Sequence, residues 1–196
     1  VVSCLQKMPL HSPERLATNI HYHPLLIPNI GWLKTGYQGC IRAVRKVLHR
    51  IQPDIVHGQG TERDCSLCAV FSGYPNVITI HGHMSRIAQL TQAGFPSYYW
   101  FAERLERFCI GRTNGVVCLN NYTKRKVEAR ASRTWVVPNA VHPSFFSLQR
   151  SPIVIPRILC LANIHPWKNQ VGLIKALQPL QATLPFELRL AGLGKD

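Results

Sequence analysis

Short apolar runs alternate with helical periodicities from one end of the chain to the other. Residues 1–6 and 20–27 read as strands, with a loop at His11-Ser12-Pro13 between them. Residues 37–51 place Ile41, Val44, Val47, Leu48 and Ile51 on one face of a helix, which Pro53-Asp54 ends. Residues 54–57 form a strand that runs into Gly58-Gln59-Gly60, and residues 62–72 a helix closed by Gly73. Strands at 77–81, 116–119 and 135–137 alternate with helices at 97–110 and 121–130, the last capped by Asn120 or Asn121. Such a β-α series predicts an α/β fold, a parallel sheet covered by helices. The strands show little polar alternation, which fits burial on both faces.

The pattern breaks between Pro143 and Pro156, where Pro152 also falls and no helix repeats, so a linker is expected there. The series then restarts with a strand at 157–161, a helix at 167–177 and a strand at 187–191, followed by Gly192-Leu193-Gly194. Two units are expected, residues 1–147 and residues 148–196, the second being the beginning of another α/β domain. The chain opens on Val1 and stops at Lys195-Asp196 just after a strand-like run, which reads as a fragment of a longer protein.

Composition adds charge to this picture. The 196 residues are 46% hydrophobic and 16% charged, as in a folded globular protein. Lys and Arg number 23 against 9 Asp and Glu, a formal charge of +14 that favours anionic partners. A basic solvated surface without a single purpose is the plainer account of the same sum. Nucleic acid is disfavoured, because no recognition helix and no strand face of interleaved aromatic and basic residues is present. The seven cysteines are odd in number and lack the spacing of a disulfide framework. Cys65 and Cys68 form a C-x-x-C with no second pair to complete a zinc site, so packing on one helix face is expected and no metal. That usage points to a reducing compartment, the cytoplasm. No apolar run has the 18 or so residues of a membrane span.

Two strand-to-turn junctions carry the candidate chemistry. Residues 76–83 read Asn-Val-Ile-Thr-Ile-His-Gly-His, and residues 158–169 read Ile-Leu-Cys-Leu-Ala-Asn-Ile-His-Pro-Trp-Lys-Asn. Ligands of open α/β folds sit at the carboxyl ends of strands, where such turns lie. His81 can face a cleft, or it can simply bond a loop carbonyl; Gly82 lets a backbone N–H approach an anion. Lys168, behind Pro166 at the start of a helical pattern, suits a diphosphate, unless it is an ordinary solvated lysine. His57, Gly58, Gly60 and Glu62 lie at a third junction, where Thr61 is expected to cap the next helix with Glu62 and Asp64 in its first turn. Opposite its apolar stripe, the 37–51 helix carries Arg42, Arg45, Lys46, His49 and Arg50 and no acid. That face can meet an anionic bilayer or only solvent.

Four pieces in order resemble glycosyltransferase family 4, the retaining class with two facing Rossmann-like domains known as the GT-B fold. Asp54-Ile55-Val56-His57-Gly58 resembles the family's D-h-h-H-x-H/G strand, and Val77-Ile78-Thr79-Ile80-His81-Gly82 its V-x-T-x-H-G. Val136-Val137-Pro138-Asn139-Ala140-Val141-His142 and the residues to Phe146 resemble h-I-P-N-G-V-D-x-x-x-F. Residues 158–169 resemble the opening strand of the second domain with its G-R-x-x-x-x-K-G/N.

The resemblance implies a nucleotide-sugar donor held mainly by the second domain and a carbohydrate or lipid-linked acceptor on the first. It implies His81 as the catalytic residue beside the donor sugar. Gly82, Asn139, Asn163, Lys168 and Asn169 would contact the donor, and His57, Gly58, Gly60 and Glu62 would line the acceptor side. It implies no cofactor and no metal, because the lysine can neutralise the leaving diphosphate. Polysaccharide or glycolipid synthesis in the cytoplasm, with peripheral contact at the inner face of a membrane, would follow. The departures are specific. Asn163 stands where the family has Arg, Asn120 where it has Ser, and Ala140 and His142 where it has Gly and Asp. The family's first strand with its glycine-rich loop and its later E-x7-E segment are not recognisable. An inactive fragment of an active parent is therefore expected, with a non-catalytic nucleotide- or polyanion-binding relative as the alternative.

Overall fold

The computed structural model describes residues 1–7, 11, 13–28, 30, 32–149, 152 and 154–194. Ser12 of the expected loop and Arg150, Ser151 and Ile153 of the expected linker lie outside the described residues, as do Lys195 and Asp196. The chain divides into two compact units, Val1–Ala140 and Val141–Asp196.

The centre of the first unit is a four-stranded parallel sheet. Its strands are β5 (Val56–Gln59), β6 (Asn76–Ile80), β7 (Val116–Cys118) and β8 (Thr134–Val136), neighbours in chain order. Gly58 pairs with Ile78, Ile78 with Val116 and Cys118 with Val136. Ile78, Thr79 and Ile80 are all buried although they point to alternate faces, so both faces of β6 are covered. Four helices flank this sheet: α2 (Asp64–Val70), α3 (Met84–Leu90), α4 (Tyr98–Ile110) and α5 (Asn121–Val127). The Asn120 side chain accepts from the Thr123 N–H at 2.9 Å, so of the two expected caps it is Asn120 that starts α5.

Before the sheet come β1 (Val2–Leu5), β2 (Arg15–Ala17), β3 (Ile20–His21), β4 (His23–Leu26) and α1 (Gln38–Ile51). The expected strand at 20–27 is split. β3 pairs antiparallel with β2, while β4 pairs parallel with β1. The Tyr22 N–H donates to the Glu14 carbonyl at 2.8 Å and closes the small β2–β3 hairpin. α1 buries Ile41, Val44, Val47 and Leu48 as its periodicity predicts, but Ile51, expected on the same face, is exposed at the helix end, as are Arg42, Arg45, Lys46, His49 and Arg50. Among the described residues no helix is long and apolar enough to cross a membrane.

The second unit holds β9 (Arg157–Leu161), α6 (Gln170–Leu177) and β10 (Glu187–Ala191), with β9 and β10 parallel and in register from Arg157↔Glu187 to Leu161↔Ala191. The expected helix at 167–177 starts later. Residues Pro166–Lys168 form a 3-10 turn, and Asn169 takes a left-handed conformation (φ +52°) that separates this turn from α6. Lys168 therefore precedes the helix instead of occupying its first turn.

Candidate functional site

Parallel pairing of Gln59 with Thr79 sets the carboxyl ends of β5 and β6 side by side. A chain of side chains crosses that edge. His57 Nε2 lies 2.6 Å from Thr79 Oγ1, and the Gln59 side-chain amide lies 3.4 Å from the His57 ring. Gln59 Oε1 lies 2.9 Å from His81 Nε2. An amide oxygen only accepts, so His81 carries its proton on Nε2 and donates to Gln59. His81 Nδ1 then remains a lone-pair acceptor on an exposed ring, suited to a hydroxyl group of a ligand. The Gln59 amide nitrogen is 3.4 Å from both nitrogens of the His57 ring, and the short contact is the one from Nε2 to the Thr79 hydroxyl.

Partial burial holds the His57 pKa below the ordinary 6.5, and the nearby His81 pushes it the same way. A lowered value means that the unfolded chain takes the proton more readily. Stability from His57 is therefore whole above 6.5 and is lost as pH falls through the folded value. In an NMR titration the His57 resonances should turn below 6.5, and His81→Asn should move that midpoint upward. A midpoint at or above 6.5 would contradict this arrangement.

The turn carrying His81, Gly82 and His83 is anchored from beneath by one residue. Glu106 of α4 is 0% exposed. Its carboxylate accepts from the Met84 N–H at 3.0 Å and from the Thr61 hydroxyl at 2.5 Å, and lies 3.2 Å from His83 Nδ1. One buried acid thus ties the start of α3 and the turn after β5 to α4. Glu106 was not among the residues singled out from the sequence. A signal was present: Ala102, Glu106, Cys109 and Ile110 fall on the buried side of one helix, so an acid sits where the period demands an apolar residue.

The turn after β5 differs from its expected form. α2 begins at Asp64, not at residue 62, and Thr61 bonds Glu106 instead of capping the helix. Glu62 folds back on its own loop, accepting from the Thr61 N–H at 2.9 Å, while the Tyr98 hydroxyl donates to the Glu62 carbonyl. Gly60 has φ +98°, a left-handed conformation that glycine adopts without strain. Gly58 is needed for closeness: a Cβ there would lie 2.8 Å from the Cys65 carbonyl oxygen and 3.0 Å from the Ala69 Cβ. Gly58→Ala should cost about 1–3 kcal/mol by forcing α2 off β5. Its urea midpoint reports this, and an unshifted midpoint would mean that the helix yields freely. At Gly82 a Cβ would find its nearest neighbours at 3.7 Å, so that position has no steric need for glycine.

Cys65 and Cys68 do not share one environment. Cys68 is buried with its thiol 3.9 Å from Asp64 Oδ2, whereas Cys65 is exposed. Ligand atoms of Cys4, Asp64 and Cys68 lie within 4.8 Å of one another, a grouping between β1 and α2 that the sequence spacing did not indicate. A hydrogen bond to Cys4, and then burial, push the Cys40 thiol well above the ordinary range, so it is protonated.

Six of the sequence-derived residues meet at one edge of the first unit: His57, Gly58, Gly60, Glu62, His81 and Gly82. Asn139 belongs to the same unit but follows β8, at the far end of the strand order. Asn163, Lys168 and Asn169 are exposed in the loop between β9 and α6 of the second unit, where the Asn163 carbonyl accepts from the Gln170 amide at 2.9 Å.

A parallel sheet flanked by helices, with polar side chains gathered at the strand ends, defines a Rossmann-like α/β protein with a ligand edge. The chain belongs to Glycosyltransferase Family 4, whose sequence model matches residues 1–145. Among solved structures it is similar to sucrose-phosphate synthase from Thermosynechococcus elongatus, at 9% identity and a TM-score of 0.55. That match covers 98% of this chain but only 60% of the other, so the chain spans part of that structure's length. No curated protein sequence matches the chain. The GT-B expectation drawn from the sequence motifs agrees with both matches.

Proposed function

We propose that the polypeptide to which these residues belong transfers a hexose from a nucleotide sugar to a carbohydrate or lipid-linked acceptor, with retention at the anomeric carbon. The observation that carries this reading is His81. It stands at the carboxyl end of a central strand of a family 4 chain, exposed and held by Gln59 through Nε2, which leaves its other ring nitrogen for a sugar hydroxyl. Gly82 and Asn139 join the donor side from the first unit; Asn163, Lys168 and Asn169 do so from the second. Lys168 offsets the charge that builds on the departing diphosphate. His57, Gly58, Gly60 and Glu62 shape the acceptor side, with the Gln59 side chain lying between His57 and His81. No metal and no cofactor is assigned a step. The acid-free basic face of α1 supports a membrane-borne acceptor reached from the cytoplasm, in polysaccharide or glycolipid synthesis.

The test is turnover of a panel of nucleotide sugars by the complete protein, reading nucleoside diphosphate release and the anomeric configuration of the product. Release with retention supports the reading, and an inverted product overturns retention alone. Tight nucleotide binding without turnover would favour the second reading, a non-catalytic relative, which the missing cation at Asn163 supports.

A further inference from the structure

Cys4, Cys40 and Cys68 belong to three elements far apart in the sequence, β1, α1 and α2, and the fold brings their thiols together. Cys4 stands in the middle, in hydrogen-bond contact with both of the others. Cys40 is 0% exposed and Cys68 6%. Asp64 opens α2 one turn before Cys68 and joins them. Its carboxylate, Cys4 Sγ and Cys68 Sγ all lie within 4.8 Å of one another.

Asp64 is what distinguishes this group from packed cysteines. A cysteine in a core is a small hydrophobe and needs nothing further. A carboxylate buried among cysteines does. Asp64 is 7% exposed, and among the described residues no Lys, Arg or His forms an ion pair with it. The neighbouring Arg63 stacks its guanidinium on the Trp32 ring at 4.6 Å instead. The contact between Asp64 and the Cys68 thiol, at 3.9 Å, is a weak hydrogen bond. The start of α2 favours a negative charge there, but only weakly against the cost of taking a carboxylate out of water. Buried charges are paired or coordinate metals.

We propose that Cys4, Cys40, Cys68 and Asp64 bind one zinc ion. Thiolates are soft ligands that select zinc over magnesium or calcium, which take oxygen ligands in larger number. In a tetrahedral zinc site sulfur lies about 2.3 Å and carboxylate oxygen about 2.0–2.2 Å from the metal, so the donor atoms stand roughly 3.5–3.8 Å apart. Side-chain shifts of about 1 Å bring Cys4, Cys68 and Asp64 to that spacing. Cys40, already against Cys4, takes the fourth corner. On binding, each thiol gives its proton to solvent and a sulfur lone pair to the ion, and nothing is oxidised or reduced. In the metal-free chain, hydrogen bonding to Cys4 and burial keep Cys40 protonated, with the Arg63 charge acting the other way. The ion replaces that proton.

Four protein ligands close the coordination sphere, which is the form of a structural rather than a catalytic zinc. Among the described residues β1 pairs with β4 and shares no hydrogen-bonded edge with the β5–β8 sheet. Zinc fastens β1 to α1 through Cys40 and to α2 through Cys68 and Asp64. The C-x-x-C visible in the sequence is not the site, because Cys65 is exposed and outside the group. The proposal does not rest on the transferase reading, and no step of sugar transfer passes through the ion.

The test is a titration of the complete protein, purified under reductant and stripped with a chelator, first with Co²⁺ and then with Zn²⁺. One Co²⁺ per chain should bind, with the intense visible bands of a tetrahedral site and a near-ultraviolet sulfur-to-cobalt charge-transfer band, and Zn²⁺ should bleach both. Cys68→Ser should weaken zinc binding by about 100-fold or more, the upper end of what losing a mere supporting contact costs. Asp64→Asn should weaken it too and leave the charge-transfer band. Cys65→Ser, which breaks the C-x-x-C but keeps the four ligands, should change nothing. Zinc X-ray absorption on the unmutated protein covers the case of a variant that does not fold. It should show three sulfurs at about 2.3 Å and one lighter donor atom at about 2.0 Å. No stoichiometric metal, or a shell of nitrogen and oxygen alone, would overturn the proposal. So would loss of binding in Cys65→Ser, which would put the ion on the exposed C-x-x-C. Each of these readouts is independent of sugar transfer.

Discussion

Glu106→Ala is expected to lower the stability of the first unit by about 3–5 kcal/mol, the usual effect of removing one partner of a buried charged network. The side chain is 0% exposed and serves the Met84 N–H, the Thr61 hydroxyl and the His83 ring together. Its loss leaves the buried Met84 N–H and Thr61 hydroxyl without that acceptor, whereas His83 Nδ1 keeps the Ser85 hydroxyl at 2.8 Å, and each orphaned group costs about 1–3 kcal/mol. Water entering the cavity offsets part of this, which keeps the total below the plain sum. Glu106→Gln retains one acceptor oxygen and should fall between alanine and the native residue. Urea denaturation followed by tryptophan fluorescence and by circular dichroism would measure both variants. An alanine variant within about 1 kcal/mol of the native protein would show that the network is not what holds the His81 turn.

The second large effect is on turnover. In the complete protein, His81→Ala should reduce kcat for sugar transfer by on the order of 100-fold, the scale of losing one preorganised polar group at a reacting centre. Little change in unfolding midpoint should accompany it, because the His81 ring is exposed and its hydrogen bond to Gln59 lies at the surface. Gln59→Leu should give a smaller loss of the same kind, since it frees the ring to turn without removing it. Unchanged turnover in His81→Ala would take His81 out of the site. A parallel collapse of stability would instead assign it a structural role.

The parts of this fold that could be read from the sequence are those whose burial is periodic. β6 and β7 showed as short apolar runs because both of their faces are covered, and α1 showed through Ile41, Val44, Val47 and Leu48, whereas β5 and β8 at the two ends of the strand order are largely exposed. Other elements left weaker marks. β2 and β3 are exposed along their whole length, so no apolar pattern records β2, and β3 was merged with β4 into one expected strand at 20–27. α3 spans seven residues with Met84 and Ala88 as its buried pair, too short for a period to emerge. The site divides in a similar way. His57 and His81 were legible because strand ends are where ligands gather. Gln59 as the bridge between them was not, because the partners are brought together by register across 22 positions. Glu106 works across 45 positions to Thr61, and only its misfit with an apolar helix face hinted at it.

The order β5-β6-β7-β8 in the sheet is also their order in the chain. Each new strand needs only its immediate predecessor, so the sheet can be laid down as the polypeptide leaves the ribosome, one β-α step at a time. β1 and β4 are made earlier yet form a sheet of their own, apart from those four strands. Synthesis therefore delivers two half-sheets in succession, and the closing of one against the other is a late, long-range event in the assembly of the domain.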